Sequence, residues 1–167
     1  MKTGRTVYLV RHAIAAVRDE KWPDDSKRPL THEGAARMRR IVKGLVSLGV
    51  EIDQILTSPL VRAVETAEIL ARGLDPVPEI VQVPALGPDG LPAKMAEAIG
   101  AAAGRAAVIA VVGHEPSLGE LAAWLIGARA PLPFKKGGAC RIDIADWPPA
   151  RTGQLVWLAT PRMLRSM

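Results

Sequence analysis

The sequence has few of the residues that cross-link a chain or carry it through a membrane. Cys140 is the single cysteine among 167 residues, so no internal disulfide can form and a reducing compartment is favoured. The apolar run at residues 7–10 is too short for a signal peptide, and no stretch approaches the roughly 18 apolar residues of a membrane span. We therefore expect a soluble, cytoplasmic protein with no membrane partner, and a monomer is compatible with these features.

Histidine and aromatic residues are also scarce, which argues against two kinds of ligand. The three histidines have no cysteine partners and no HExxH pattern, so we assign neither a metal nor another cofactor. The net charge of +5 could attract nucleic acid. However, the densest basic cluster has helical spacing and no interleaved aromatic side chains to stack on bases. This cluster, Arg37, Arg39, Arg40 and Lys43, is better explained as a solvated helix face, and we expect no nucleic-acid partner.

Apolar runs typical of buried strands alternate with segments of helical periodicity. Strands are predicted at residues 7–10, 52–56, 80–83, 106–112, 140–144 and 155–159, and helices at residues 31–48, 59–72, 91–103 and 116–126. The segment "DWPPARTG" predicts a hairpin between the last two strands. The pattern predicts an α/β fold: a single three-layer domain over residues 1–167, with a mostly parallel central sheet, helices on both faces and an antiparallel edge.

Polar residues follow three of the predicted strands. The stretch "LVRHAIA" places Arg11 and His12 directly after the first strand, "TSPLVRAVETA" follows the second, and "VVGHEP" places His114 after the fourth. In open α/β sheets, ligands bind outside the carboxyl ends of the parallel strands. Since these ends share one edge of the sheet, we expect the three segments to meet there.

The middle segment predicts a helix N-terminus at that edge. Ser58 is a preferred N-cap and Pro59 a preferred first helical residue, so the helix is expected to begin there and to favour an anion. Arg62, four residues after Ser58 on the same helical face, would reach the same anion. Two arginines, two histidines and a helix N-terminus suit phosphate. We therefore predict that Arg11, Arg62, His114 and Ser58 bind a phosphoryl group.

Each of these residues alone has a simpler structural explanation. A single histidine at a strand end is more often hydrogen-bonded and structural than catalytic, and Arg62 alone would be a helix-surface charge. Their joint placement at successive strand ends favours a site, in which a neutral histidine could be the nucleophile and the arginines could stabilise phosphoryl transfer without a metal. His32 differs, because it falls in the first turn of a predicted helix, where a surface role is expected.

The motifs resemble the histidine phosphatase superfamily, whose hallmark is an Arg-His-Gly triplet after the first strand, and in particular its short SixA-like branch of phosphohistidine phosphatases. The resemblance rests on "LVRHAIA", "RPLTHEG", "ILTSPLVRAVETAEIL", "VVGHEPSL" and "LVWLATPRML", which occur in order over nearly the whole chain. It implies that His12 becomes phosphorylated while Arg11, Arg62 and His114 bind the phosphoryl group. Ala13 stands where the triplet has glycine.

The general acid stays unassigned. Larger members of the superfamily place a glutamate soon after the third strand, where this chain has "PALGPDG". Asp89, Asp24 and Asp25 are the candidates, and each could equally be a solvated loop residue. Without an acid and without a large lid, we expect a shallow, open site that favours good leaving groups such as phosphohistidine.

The leading hypothesis is a metal-independent phosphatase that hydrolyses phosphohistidine or phosphomonoesters through a covalent intermediate on His12. Its substrate would be a phosphorylated protein or a small phosphorylated molecule. One alternative is a phosphomutase of the same superfamily, although the chain has little length for the insertions that enclose small substrates. The other is a non-catalytic phosphoanion-binding domain, which the presence of both histidines and both arginines disfavours.

Overall fold

The computed structural model describes residues 4–167, and strands alternate with helices over most of this length. The strands are β1 (Arg5–Arg11), β2 (Gln54–Thr57), β3 (Glu79–Gln82), β4 (Val108–Gly113), β5 (Ala139–Ile144) and β6 (Gln154–Ala159). The helices are α1 (His32–Ser47), α2 (Val61–Arg72), α3 (Pro92–Ala103), α4 (Ser117–Ile126) and α5 (Pro161–Arg165). Two short 3₁₀ turns, Asp25–Lys27 and Pro84–Leu86, and the helix α5 were not predicted.

The six strands form one mixed sheet with the order β3-β2-β4-β1-β5-β6. The four strands from β3 to β1 are parallel, whereas β5 pairs antiparallel with β1, and β6 pairs antiparallel with β5. The hairpin between β5 and β6 and the antiparallel edge are therefore confirmed. Long helical crossovers connect the parallel strands, as parallel pairing requires.

The alternation of side chains along β1 divides the core into two halves. Val7 and Leu9 belong to one buried cluster, which includes side chains of α3 and α4. Tyr8 and Val10 belong to the other, which includes side chains of α1, α2 and α5. Since successive strand residues point to opposite faces, this sheet is covered by helices on both sides, which confirms the three-layer prediction. Within residues 4–167, no helix combines the length and apolarity needed to cross a membrane.

The start of α1, in the segment "PLTHEG", is capped by a side chain. Thr31 is the N-cap, and its Oγ1 accepts a hydrogen bond from the Gly34 amide at 2.8 Å. Gly34 is required for a different reason, because a Cβ built there would lie 2.1 Å from the carbonyl oxygen of Ile14. The loop that follows β1 therefore packs directly against the first turn of α1.

The start of α2 differs from the prediction. The helix begins at Val61, its N-cap is Leu60, and no side chain caps it. Ser58 precedes the helix, and its Oγ accepts a hydrogen bond from the Leu60 amide at 3.2 Å, which forms a tight turn before the helix. The prediction that the helix opens at Ser58 and Pro59 is therefore wrong, and Arg62 is the second helical residue.

Candidate active site

The parallel register brings the three predicted segments to one edge of the sheet. Arg11, the last residue of β1, pairs with Gly113, the last residue of β4. Thr57 of β2 pairs with Val112 of the same strand, so β1, β2 and β4 end at nearly the same level. The residues that follow these strands are His12, Ser58 and His114, and all three are buried.

Hydrogen bonding determines which nitrogen of His12 is free to react. The Nδ1 atom lies 2.7 Å from the carbonyl oxygen of Ala13. A carbonyl oxygen can only accept, so we assign the ring proton to Nδ1, and the lone pair is then on Nε2. Burial, partly opposed by this hydrogen bond, and the charges of Arg62 and Arg11 lower the pKa of His12 to about 4. The ring is thus neutral at pH 7, with an unprotonated nitrogen.

The second histidine has the opposite arrangement. His114 Nε2 lies 2.8 Å from the Ser58 Oγ, while its buried Nδ1 has no hydrogen-bond partner. Among the described residues, the Ser58 hydroxyl has no acceptor other than His114 Nε2, so we assign its proton to that bond, which places the ring proton of His114 on Nδ1. Burial and the charges of His12 and Arg62 lower the pKa of His114 to about 3. The two imidazole centroids are 5.2 Å apart.

Each of the two arginines is held by a protein acceptor. Arg11 Nη1 donates to the carbonyl oxygen of Phe134 at 2.7 Å. Arg62 Nη1 donates to the carbonyl oxygen of Asp25 at 2.9 Å, and its Nη2 donates to the Asp25 carboxylate at 3.0 Å. The Nε atoms of both arginines are buried and have no partner. Among the described residues, three of the five unpartnered buried side-chain polar atoms thus belong to Arg11, Arg62 and His114.

These residues line a cleft of about 570 Å³. Its walls carry five cationic side chains, Arg11, Arg18, Arg28, Arg62 and Lys136, and two carboxylates, Asp25 and Glu115. Since both histidines are neutral, the cleft has an excess of positive charge. Buried, unpartnered donors in a cationic cleft suit a tetrahedral oxyanion with about two negative charges, such as a phosphoryl group.

The sequence-predicted residues do not all line this cleft. Arg11, His12, Arg62 and His114 do, whereas Ser58 lies behind His114 and contacts its ring. The role of Ser58 as a phosphate ligand stays a prediction. His32 is exposed at the start of α1.

The three candidate acids are separated by the fold. Asp25 lines the cleft, but its carboxylate is paired with arginines. Asp24 is the N-cap of the 3₁₀ turn and accepts from the Ser26 amide. Asp89 does not line the cleft but an adjoining pocket beside the turn Pro84–Leu86, and Pro88 lines both.

One carboxylate of the cleft was not predicted. Glu115 lines the cleft, and its oxygens accept from the amides of Gly119 at 2.7 Å and Phe134 at 3.4 Å. Burial raises the pKa of the Glu115 carboxyl, although these amide bonds and the charge of Arg11 oppose the effect. In the sequence, its position directly after His114 in "VVGHEP" could have identified Glu115 as a residue of the cleft. Through Phe134, Glu115 supports the same loop whose carbonyl holds Arg11.

Comparisons with known proteins agree with this arrangement. The model of the histidine phosphatase superfamily (branch 1) matches residues 7–87. An uncharacterized protein of Picosynechococcus sp. is 43% identical over 118 residues, which are 70% of each chain. The phosphohistidine phosphatase SixA of Escherichia coli is 28% identical over 160 residues, which are 95% of this chain and 96% of that protein.

A solved structure extends the likeness to the fold. The structure of the protein histidine phosphatase SixA complexed with tungstate superimposes with a TM-score of 0.84 at 28% identity, covering 95% of this chain and 99% of that one. The fold, the residues at the strand ends and the relatives lead to one assignment: the chain belongs to the histidine phosphatase superfamily, in its SixA-like branch, and is a phosphatase.

Proposed function

We propose that this phosphatase is metal-independent and hydrolyses phosphohistidine or phosphomonoester groups through a covalent phosphohistidine on His12. The observation that carries the proposal is the hydrogen bond from His12 Nδ1 to the Ala13 carbonyl, because it leaves Nε2 as an unprotonated nucleophile. The pKa of about 4 keeps the ring in this form across the neutral range.

In the first step, His12 Nε2 attacks phosphorus and forms an N–P bond while the bond to the leaving group breaks. The leaving group takes the bonding electron pair. A substrate phosphohistidine that carries a proton on its other ring nitrogen leaves as a neutral imidazole, so this transfer needs no proton donor. An alkoxide leaving group would have to be protonated and would depend on a general acid.

In the second step, water attacks the phosphorus of the phosphoenzyme. The N–P bond breaks, its electron pair returns to Nε2, and the two protons of water remain on the released phosphate. His12 keeps its Nδ1 proton throughout, because Nδ1 donates a hydrogen bond to the Ala13 carbonyl both before and after phosphorylation. The ring therefore returns to its starting tautomer after each turnover.

The arginines of the cleft can neutralise the negative charge of the phosphoryl group, as metal ions do in other phosphoryl-transfer enzymes. Arg11, Arg62 and His114 line the same cleft as His12, and each of the three has a buried nitrogen without a protein partner: Arg11 Nε, Arg62 Nε and His114 Nδ1. Charge-assisted hydrogen bonds from the two guanidinium groups, together with a bond from the neutral His114 ring, would stabilise the charge that spreads over the equatorial oxygens in the transition state. The related SixA was solved with tungstate, a tetrahedral oxyanion, which supports the same ligand chemistry here.

The state of the carboxyl groups near the cleft supports phosphohistidine over alkyl phosphates as the substrate. Partial burial alone would raise the pKa of the Asp25 carboxyl, but hydrogen bonds from Arg28 and the charges of Arg62 and Arg28 outweigh burial and lower it. Asp25 is therefore ionised at neutral pH and is a poor acid. Asp24 and Asp89 do not line the cleft. Glu115 lines the cleft, but both of its oxygens accept hydrogen bonds from backbone amides, so this carboxyl is held as an acceptor. A site with a nucleophile but no acid free to donate favours a leaving group that departs unaided.

The covalent step is tested by trapping the intermediate. Incubation with phosphorus-labelled phosphohistidine protein or acetyl phosphate should give an acid-labile, alkali-stable phosphoenzyme. His12→Ala should form none, and His32→Ala, at an exposed position on α1, should form it normally. Full turnover by His12→Ala would refute the role of His12. If the wild-type protein bound the anion without turnover, a phosphoanion-binding domain would be favoured. If it transferred the phosphoryl group to a sugar acid instead of to water, a mutase would be favoured.

The substrate class is tested with a leaving-group series. We expect kcat/KM for aryl and alkyl phosphates to fall steeply as the leaving-group pKa rises, and a phosphohistidine protein to be hydrolysed faster than any alkyl ester. A flat profile would show that an acid acts on the leaving group, and it would refute the preference for phosphohistidine.

A further inference from the structure

The loop between β1 and α1 brings one carboxylate into contact with the phosphoryl site. Asp25 holds Arg62 at two points, since its backbone oxygen accepts from Nη1 at 2.9 Å and its Oδ2 accepts from Nη2 at 3.0 Å. Both terminal nitrogens of the guanidinium are thus bound to one residue. The third nitrogen, Arg62 Nε, is buried and unpartnered, and Arg62 lines the cleft that contains His12. A planar guanidinium held in this way has little freedom to rotate.

Asp25 is itself held from its other side. Its Oδ1 accepts from Arg28 Nε at 3.0 Å, and Arg28 Nη1 donates to the carbonyl oxygen of Ala16 at 2.8 Å. The Arg28 side chain is 10% exposed, so this pair is shielded on one flank, whereas Arg18, 3.3 Å from the same oxygen, is 75% exposed. The chain of contacts Ala16–Arg28–Asp25–Arg62 therefore connects the loop backbone to the phosphoryl site.

The turn that carries Asp25 has its own support. Asp24 caps the 3₁₀ turn by accepting from the Ser26 amide at 3.0 Å and the Ser26 hydroxyl at 2.6 Å. A bridge between Ala15 and Leu30 closes the base of the loop. The loop is long for a compact domain, and such loops are commonly functional. Here the 3₁₀ turn of this loop brings Asp25 to Arg62 of α2.

We propose that Asp25 is a positioning residue that fixes the orientation of the Arg62 guanidinium for the transition state of phosphoryl transfer, and that it is not the general acid. The inference rests on the proposed function of the cleft. The negative charge of Asp25 repels a phosphoryl dianion, so its charge alone weakens ground-state binding. Its contribution to the reaction must therefore come from the alignment of Arg62, which matters most where charge develops on the equatorial oxygens.

The test compares Asp25→Asn and Asp25→Glu with Asp24→Asn. Asparagine keeps one acceptor but loses the charge, and glutamate keeps the charge but moves the carboxylate by one methylene. Asp24→Asn retains the cap of the turn and is the matched control. We expect both Asp25 variants to lose about 10- to 100-fold in kcat, a typical cost of misplacing a catalytic group by about 1 Å. We expect the inhibition constant of inorganic phosphate to stay within about threefold, or to improve in Asp25→Asn.

The leaving-group series separates positioning from acid catalysis. A positioning role lowers kcat/KM by the same factor for every leaving group, whereas an acid role lowers it only for poor leaving groups. An effect that grows with leaving-group pKa would overturn the proposal, and so would full activity in Asp25→Glu and Asp25→Asn. Thermal melts of all three variants show whether a loss reflects unfolding.

A failure of the proposed function would look different from a failure of the positioning role. If the wild-type protein turned over no phosphoryl substrate, the proposed function would fail. The affinity for orthovanadate, a mimic of the trigonal-bipyramidal transition state, would still test the positioning of Arg62. A loss of vanadate affinity in Asp25→Asn relative to Asp24→Asn would support it, and equal affinity would contradict it.

Discussion

The two buried histidines make the stability of the protein sensitive to mild acid. The pKa values of His12 and His114 are lowered in the folded state to about 4 and about 3, from 6.5 in the unfolded chain, chiefly because burial disfavours the charged ring. Between pH 6.5 and about 4 the unfolded chain thus binds more protons than the folded protein. The free energy of unfolding therefore falls as the pH is lowered through that window.

The size of the loss at pH 5 does not depend on the precise folded-state values. Both lie below 5, so each loss is set by the distance between pH 5 and the unfolded-state pKa, which gives ~2 kcal/mol per histidine. Urea denaturation at pH 7.5 and pH 5.0 measures it. We expect His12→Gln and His114→Gln each to remove about half of the two-histidine loss, and His32→Gln, at an exposed position, to remove none. If both buried-site variants lost as much stability as the wild type between these pH values, the histidines would not be buried in the neutral form and the assigned tautomers would be untenable.

Two substitutions test the geometry of the site more directly. Arg62→Lys keeps the charge but loses the planar fork, so we expect it to fold and to lose roughly 1.5–3 kcal/mol of transition-state stabilisation in kcat/KM. Arg72→Lys, at the exposed end of the same helix, should be neutral, and full activity in Arg62→Lys would show that the fork is not used. Ser58→Ala removes the bond that keeps the ring proton of His114 on Nδ1, and loss of the Nδ1 bond to the charged phosphoryl group should cost roughly 1.5–3 kcal/mol in kcat/KM. Ser117→Ala, which removes only a bond to the His114 carbonyl, is its control, and equal effects of the two would refute a tautomer-setting role for Ser58.

The residues that the sequence places correctly are those attached directly to strand ends. His12 and His114 follow buried apolar runs, and once two runs are parallel neighbours, their next residues must meet at one edge. Placing residues at the ends of parallel strands requires no knowledge of side-chain contacts. Strand-end reasoning also places Ser58 at this edge, but it does not give the hydrogen bonds of Ser58. A hydroxyl before a helix can cap the helix or bond elsewhere, and here the oxygen bonds to Leu60 and His114.

The loop carboxylates show the second limit of sequence patterns. Asp24 and Asp25 are neighbours of the same type, yet one caps a turn and the other holds Arg62. Which of them faces the cleft depends on the path of an irregular loop, and no periodicity encodes that path. Asp89, in contrast, is a candidate only through its position after β3, and it lines an adjoining pocket instead of the cleft itself.

A common arrangement underlies the four groups of the site. His12 through Nδ1, His114 through Nε2, and Arg11 and Arg62 through their terminal nitrogens are each bound to a protein partner on one side. Each bond orients its side chain before any ligand enters, and in His114 and both arginines it leaves a buried donor unpartnered. Such a donor costs about 1–3 kcal/mol in the folded protein, a cost that a ligand with matching acceptors removes. Three such donors on residues that line one cleft match the three non-bridging oxygens of a phosphoryl group better than the two oxygens of a carboxylate, and this favours a phosphoryl ligand.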